Sequence, residues 1–327
     1  MNVGIITFHC SFNFGSALQS YAMQTAVQRL GYAASLIDYR SKDFDQYRLV
    51  QFKHPKSFVR FCIHPTSYLK RRNAFHSFWK RFFNLTKNYN DETRYRMDEL
   101  ASEFDCFVCG SDQIWNLDCT NGIVNPFFLS FAGDRRRVAY APSLAHTSFK
   151  PENFDKRSVS ALLSKFDYIS VREEETVPLF QPLVDKPIDV VLDPTLLLNA
   201  SDYAEMISKM VLEGEYIFMY LLRECPELIE STVSMASATG RKVAYISEKN
   251  LDIPNSVNLF GVGPEEFVSL IAHAGLILTN SFHATVFSVL FHKPFRVFAT
   301  DNSGSRMRDL LSNIGLSDRC VDVMCAD

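Results

Sequence analysis

Nowhere in the 327-residue chain do about 18 apolar residues run together, so no helix is expected to cross a membrane. An excess of one charge is lacking too. Lys and Arg number 34 against 37 Asp and Glu, a formal net charge of −3, which excludes a chain-wide nucleic-acid footprint. There is no internal repeat and no low-complexity tract. Residues 1–8 carry no basic region or cleavage site, and read as a first strand, not a signal peptide. GxxxxGK[ST] and GxSxG are absent. Gly261-Val262-Gly263-Pro264 is not a dinucleotide fingerprint, because a proline follows and no strand–turn–helix fits. Nicotinamide, P-loop and α/β-hydrolase chemistries are therefore disfavoured.

What is present is a chain 47% hydrophobic and long enough for two domains. Its eight cysteines, Cys10, Cys62, Cys106, Cys109, Cys119, Cys225, Cys320 and Cys325, are scattered, which suits a reducing, cytoplasmic compartment better than a disulfide scaffold. Cys106 and Cys109 form a CxxC that invites a zinc or redox reading. They sit in an apolar run, and in a strand residues three apart face opposite ways, so two buried structural thiols are expected.

Short apolar runs alternate with helical patterns. Strands are expected at residues 3–8, 33–37, 106–109, 138–141, 168–171 and 190–192, then at 216–222, 243–246, 276–279 and 295–298. Met23, Ala26, Val27 and Leu30 fall at helical spacing, with Gly31 closing that helix. The alternation predicts an α/β protein with two mostly parallel sheets. Pro178, Pro182, Pro187 and Pro194 punctuate the border, giving domains 1–185 and 186–327. Residues 46–90, an insertion in the first domain, hold ten Lys or Arg, no Asp or Glu, and interleaved Phe75, Phe78, Trp79, Phe82 and Phe83. Two readings fit. One is a pair of surface helices with an aromatic face on the sheet and a basic face in water. The other is a surface for an anionic membrane or a diphosphate-bearing acceptor.

In open α/β sheets ligands sit beyond the carboxyl ends of the strands. Asn13, Gly15 and Ser16 follow the first strand. Ser111, Asp112, Gln113 and Trp115 follow the third, and Ser143 the fourth. Arg172 ends the fifth, and Asn280, Ser281, Phe282 and His283 follow 276–279. Asn280 or Ser281 is a good N-cap for an apolar helix over 282–291, which puts His283 in a first turn, where N–H groups and the helix dipole favour an anion. Arg172 can grip a carboxylate or phosphate through two parallel hydrogen bonds, or pair with a glutamate such as Glu175. Asp112 is a base or a structural cap, Asn13 and Gly15 can simply make a turn, and Arg306 is a further cation or a solvated helix charge.

Together these clusters resemble one family. Asn13-Phe14-Gly15-Ser16-Ala17-Leu18-Gln19-Ser20-Tyr21-Ala22, Gly110-Ser111-Asp112-Gln113-Ile114-Trp115-Asn116, Tyr140-Ala141-Pro142-Ser143, Ile169-Ser170-Val171-Arg172-Glu173, Val191-Leu192-Asp193-Pro194-Thr195 and Thr279-Asn280-Ser281-Phe282-His283 match, in order, the motifs of the polysaccharide pyruvyl transferases. The resemblance implies a GT-B-like architecture of two Rossmann-like domains facing across a cleft. It implies phosphoenolpyruvate as donor, a sugar of a surface polysaccharide or its lipid-linked precursor as acceptor, and no cofactor or metal. It centres donor recognition on Arg172 and His283. From their places at the strand ends and the chemistry required, Asp112 joins these two as a catalytic residue, Asn280, Ser281, Phe282 and Arg306 are expected on the donor side, and Asn13, Gly15, Ser111, Gln113, Trp115 and Ser143 on the acceptor side. Some members carry an arginine where this chain has Ser281. It also implies work in the cytoplasm, at the inner membrane face if the acceptor is lipid-linked. The alternatives are a nucleotide-sugar glycosyltransferase on the same plan and a non-catalytic glycan-binding protein.

Overall fold

The computed structural model describes residues 1–41, 44, 48–50, 55–144, 150, 153–299 and 304–323. Cys325 and, in the basic segment, residues 46–47 and 51–54 lie outside them. Among the described residues the strands form two six-stranded parallel sheets. The first holds β1 (Asn2–Ile6), β2 (Ala33–Leu36), β3 (Cys106–Cys109), β4 (Arg136–Ala139), β5 (Tyr168–Val171) and β6 (Ile188–Val190) in the order β2-β1-β3-β4-β5-β6. The second holds β7 (Tyr216–Tyr220), β8 (Lys242–Ile246), β9 (Ser256–Asn258), β10 (Leu276–Thr279), β11 (Phe295–Ala299) and β12 (Cys320–Asp322) in the order β12-β11-β10-β7-β8-β9. Helices α1 (Phe14–Arg29), α2 (Pro55–Ile63), α3 (Pro65–Phe82), α4 (Leu100–Glu103), α5 (Lys156–Leu163), α6 (Val177–Phe180), α7 (Ala204–Ile207), α8 (Pro226–Thr239), α9 (Pro264–His273), α10 (Phe282–Leu290) and α11 (Ser305–Asn313) complete the α/β pattern.

Central strands read as unbroken apolar runs because both faces of a parallel sheet are covered. β3 and β7 are buried along their whole length. Cys106 and Cys109 lie in β3 as buried free thiols, and burial pushes both up, Cys109 well above the usual thiol range. Three strands, β3, β5 and β10, begin and end where the apolar runs predict. β9 and β12 were not expected from the sequence. They are three-residue edge strands, Ser256-Val257-Asn258 and Cys320-Val321-Asp322, too short and polar to show a pattern.

The chain divides into two compact units, residues 1–49 with 79–198, and 50–78 with 199–327. This differs from the sequence boundary at 185/186 in two ways. β6 pairs with β5 through Ile169 and Ile188, so the first unit runs past residue 190. And 50–78, assigned by sequence to the first domain, belong with the second. Arg71 explains the second difference. Expected in water, it is buried, donates Nη1 to the carbonyls of Phe260 (3.2 Å) and Val262 (3.5 Å), and lies 5.1 Å from the Phe260 ring. Burial lowers its pKa to about 10. Tyr68 meets the same Phe260 ring edge-on at 4.9 Å, while Phe75 and Phe78 are fully buried and Lys70 and Arg72 stay exposed.

Candidate active site

In each sheet the strand order reverses once, and the loops on either side of that reversal frame the crevice where ligands bind. In the first unit the reversal lies between β1 and β3; in the second, between β7 and β10. The candidate clusters follow these strands.

At the first mouth, Asn13 caps α1, its Oδ1 accepting from the backbone N–H of Gly15 at 2.8 Å and Ser16 at 3.3 Å. Gln19 spans β1 and β3: Nε2 donates to Thr7 Oγ1 (2.9 Å), and Oε1 accepts from Ser111 N (3.3 Å). Gly110 precedes that bond at φ 118°, and a Cβ there would stand 2.0 Å from the Tyr140 carbonyl oxygen, so only glycine fits. Asp112 follows, with Oδ2 accepting from Ser16 Oγ, Oδ1 from Gln113 N (2.8 Å), and its carbonyl from Ser143 N (2.8 Å). Ser143 Oγ donates to Glu173 Oε1 at 2.6 Å.

Arg172 is held at the same sheet end. Nε donates to Glu173 Oε1 (3.0 Å) and Nη1 to Asp193 Oδ2 (2.7 Å), all three side chains being buried. Burial alone would weaken its charge, but Glu173, Asp193 and Asp112 outweigh it and hold the guanidinium charged. The ion pair is with Glu173 and Asp193, not Glu175. Asp193 also caps the turn Pro194–Leu197, which packs on α1. The result is one polar chain from Asp112 through Ser143, Glu173 and Arg172 to Asp193.

Two sequence candidates on this side change role. Trp115 is fully buried, stacks on Phe128 at 5.2 Å and donates Nε1 to the Phe127 carbonyl (3.1 Å). It is a core residue, not an acceptor platform, because its large apolar ring packs among Phe128, Phe166 and Phe180. Ser111 is buried, its Oγ donating to the Ala141 carbonyl at 2.9 Å. Asn13, exposed, and Asp112 and Gln113, half-buried, reach the surface.

At the second mouth Ser281 caps α10, its Oγ accepting from Ala284 N (3.4 Å). Asn280 is not the cap. Its Oδ1 accepts from Leu222 N (2.7 Å) and its Nδ2 donates to the Arg223 carbonyl (2.8 Å), tying the loop after β7 to the loop after β10. His283 stands half-buried in the first turn, 5.3 Å edge-on from the Phe282 ring, and Arg306 lies 5.6 Å over that ring. The structure thus brings Phe282, His283 and Arg306 together at a helix start that favours an anion.

His9 escaped assignment from sequence. It is buried, with Nε2 3.0 Å from Asp38 Oδ1 and Nδ1 3.1 Å from the Thr7 carbonyl, so both ring nitrogens face oxygen acceptors. Arg40 forks onto Asp38 at 2.6 and 3.0 Å. Burial works against the imidazolium, but the Cys10 sulfur and Asp38 outweigh it and raise the His9 pKa to about 10. Burial likewise opposes the Asp38 carboxylate, and bonds from His9 and Arg40 still lower its pKa to about 2. His9, Cys10 and Asp38 are ligand types within 4.8 Å of one another, but Arg40 and His9 already engage the Asp38 carboxylate, so the cluster reads as an ion pair. Glu173, Asp193, Ser16 and Gln19 were also unassigned, although each lies inside a motif quoted for the family resemblance.

A sequence model of the polysaccharide pyruvyl transferase family matches residues 13–302. The chain belongs to that family. No curated protein matches this pyruvyl transferase in sequence. Among solved structures, UDP-GlcNAc 2-epimerase from Methanocaldococcus jannaschii is similar at TM-score 0.55 and 13% identity, over 99% of this chain and 89% of that one. UDP-GlcNAc 2-epimerase from Neisseria meningitidis, bound to UDP-GlcNAc, is similar at TM-score 0.51 and 11% identity, over 91% and 82%. At such identity the likeness is one of fold: this transferase has a GT-B-like fold of two Rossmann-like units.

Two outcomes follow from the buried charges. Arg172→Ala leaves Glu173 and Asp193 buried without their cation and is expected to cost about 3–5 kcal/mol in urea unfolding, with Arg172→Lys recovering only part because a point charge cannot fork. His9 contributes stability that is full below its unfolded pKa of 6.5 and lost as pH rises through about 10. Asp38 contributes stability present above 3.8 and lost as pH falls through about 2. Melting temperature should therefore fall between pH 7 and 10, and this slope should flatten in His9→Gln.

Proposed function

We propose that this family member transfers the enolpyruvyl group of phosphoenolpyruvate to a sugar and closes it into a ketal, releasing phosphate. The observation that carries the reading is His283 in the first turn of α10, at the strand reversal of its sheet, with Arg306 over the ring of the adjoining Phe282. A donor with a carboxylate and a phosphate needs cations and a helix start. The donor's methylene carbon gains a proton as a sugar hydroxyl attacks its central carbon. Phosphate then leaves, and a second hydroxyl of the same sugar closes the ring, losing its proton. We assign His283 to the donor phosphate or to the proton delivered. Asp112, half-buried with its carboxylate oriented by Ser16 and Gln113, orients or deprotonates the acceptor hydroxyl. Arg172 has Nε and Nη1 engaged by carboxylates, so we assign it to positioning Glu173, Ser143 and Asp112 instead of to gripping donor.

We also place this chemistry at an anionic membrane face, with a lipid-linked acceptor. The support is that α2 is turned inside out. Phe58, Val59 and Ile63 are 45%, 53% and 63% exposed, whereas Arg60 turns in to Glu248 at 2.9 Å and Phe61 meets Tyr68 edge-on at 5.6 Å. Exposed Lys70 and Arg72 follow in α3, in a segment that lacks acidic residues.

Incubation with phosphoenolpyruvate and de-pyruvylated surface polysaccharide should release inorganic phosphate and add one pyruvate less one water to the glycan. In His283→Ala the rate should fall about 100-fold or more with the circular dichroism spectrum retained. Full activity in that variant removes His283 from the reaction, and release of nucleoside diphosphate from nucleotide sugars instead would favour a glycosyltransferase. Vesicles containing phosphatidylglycerol should sediment the protein in a salt-sensitive way that phosphatidylcholine vesicles do not, and Val59→Asp with Ile63→Asp should abolish it. Equal sedimentation by both vesicle types rejects the membrane assignment.

A further inference from the structure

The second unit contains a cavity of about 400 Å³ that the transfer chemistry does not use. Its volume is that of a small-molecule site. It opens where the loops after β8 and β9 meet α3, and Tyr68, Lys70, Glu248, Phe260, Ser67 and His64 line it.

Its chemistry is particular. Tyr68 is 2% exposed, and its hydroxyl faces the Glu248 carboxylate without a hydrogen bond of full geometry to it. Burial, and then the charge of Glu248, push that hydroxyl's pKa up to about 12, so it stays a donor. Arg60 takes one oxygen of Glu248 at 2.9 Å, fixing the carboxylate as an acceptor at the cavity. Phe260, edge-on to Tyr68, supplies an apolar ring.

The loop's backbone, by contrast, is already satisfied. The carbonyls of Phe260 and Val262 accept from Arg71, while the N–H of Phe260 donates to Asn258 Oδ1 (3.1 Å) and that of Val262 to the Leu259 carbonyl (3.1 Å). These four main-chain groups are therefore not free to read a planar base. A ligand bearing hydroxyls on a ring with an apolar face finds a donor, an acceptor and a platform.

The position supports this. All strands of the sheet are parallel, so the cavity and His283 lie at the same sheet end. The order β10-β7-β8-β9 separates them by two to three strand spacings, about 10–14 Å, roughly the reach of two or three linked sugar rings. We propose that this cavity is a subsite for a sugar ring of the acceptor glycan other than the ring whose hydroxyls are ketalised. The proposal rests on the pyruvyl-transfer reading for the identity of the glycan. It makes the enzyme select a sugar sequence and not a lone sugar.

The test is titration calorimetry on the full chain. Its probes are one repeat unit of the surface polysaccharide of the producing cells, with pyruvate removed by mild acid, and the single sugars of that repeat. Tyr68→Phe removes only the hydroxyl that faces Glu248 and keeps the ring packed on Phe260, so it should fold as well as the parent; Glu248→Gln is the second variant. Each should weaken the repeat unit's Kd by about tenfold, the worth of one hydrogen bond, and lower the parent's preference for repeat unit over single sugar by the same factor. Parental affinity for the repeat unit in both variants overturns the subsite. So does an equal loss for single sugars, or a uridine or adenosine nucleotide that binds the parent and not Tyr68→Phe. If phosphoenolpyruvate yields no phosphate but the repeat unit still binds and the variants still lose it, the subsite stands and the pyruvyl-transfer reading falls.

Discussion

The mouth of the first sheet depends on a guanidinium sealed between two carboxylates. Arg172 bonds Glu173 and Asp193 with all three out of water, and such a group is stable only while every member is present. Its neighbours inherit their positions from it. Glu173 receives Ser143, Ser143 sets the carbonyl of Asp112, and Asp193 caps the turn that packs on α1. Four strand-end loops are thereby tied together, by buried side chains and by the backbone bond between Ser143 and Asp112.

The second unit solves the same problem differently. Side-chain amides join its loops, Asn280 between those after β7 and β10 and Asn258 between those after β8 and β9, and its candidate site is a helix start, where the field comes from backbone dipoles and needs no buried counter-charge. Carboxylates dominate one mouth, a capped helix and an imidazole the other.

Much of this was legible in the residues. Apolar runs gave the central strands because a parallel strand covered on both faces needs no alternation, and the polar pair Asn280-Ser281 before an apolar helix marked a cap, which the structure assigns to Ser281. The family's motifs gave the positions of Asp112, Arg172 and His283. What escaped was set by partners far along the chain. Trp115 sits in a polar motif, and only packing with Phe128, Phe166 and Phe180 reveals it as core. Arg71 belongs to a basic run, and only the Phe260 and Val262 carbonyls explain its burial. His9 needed Asp38, a residue from the next strand's end. Edge strands β9 and β12 were invisible because three residues carry no period.

The inward turn of Arg71 also bears on how the protein is made. Its carbonyl partner at Phe260 lies 189 residues downstream. At about 5–20 residues per second, a ribosome needs roughly 10–40 s to deliver it. Until then Tyr68 lacks the ring, and Arg71 the carbonyl, on which each packs. The early helix must wait for a late sheet, and the second unit cannot be completed until most of the chain has been translated.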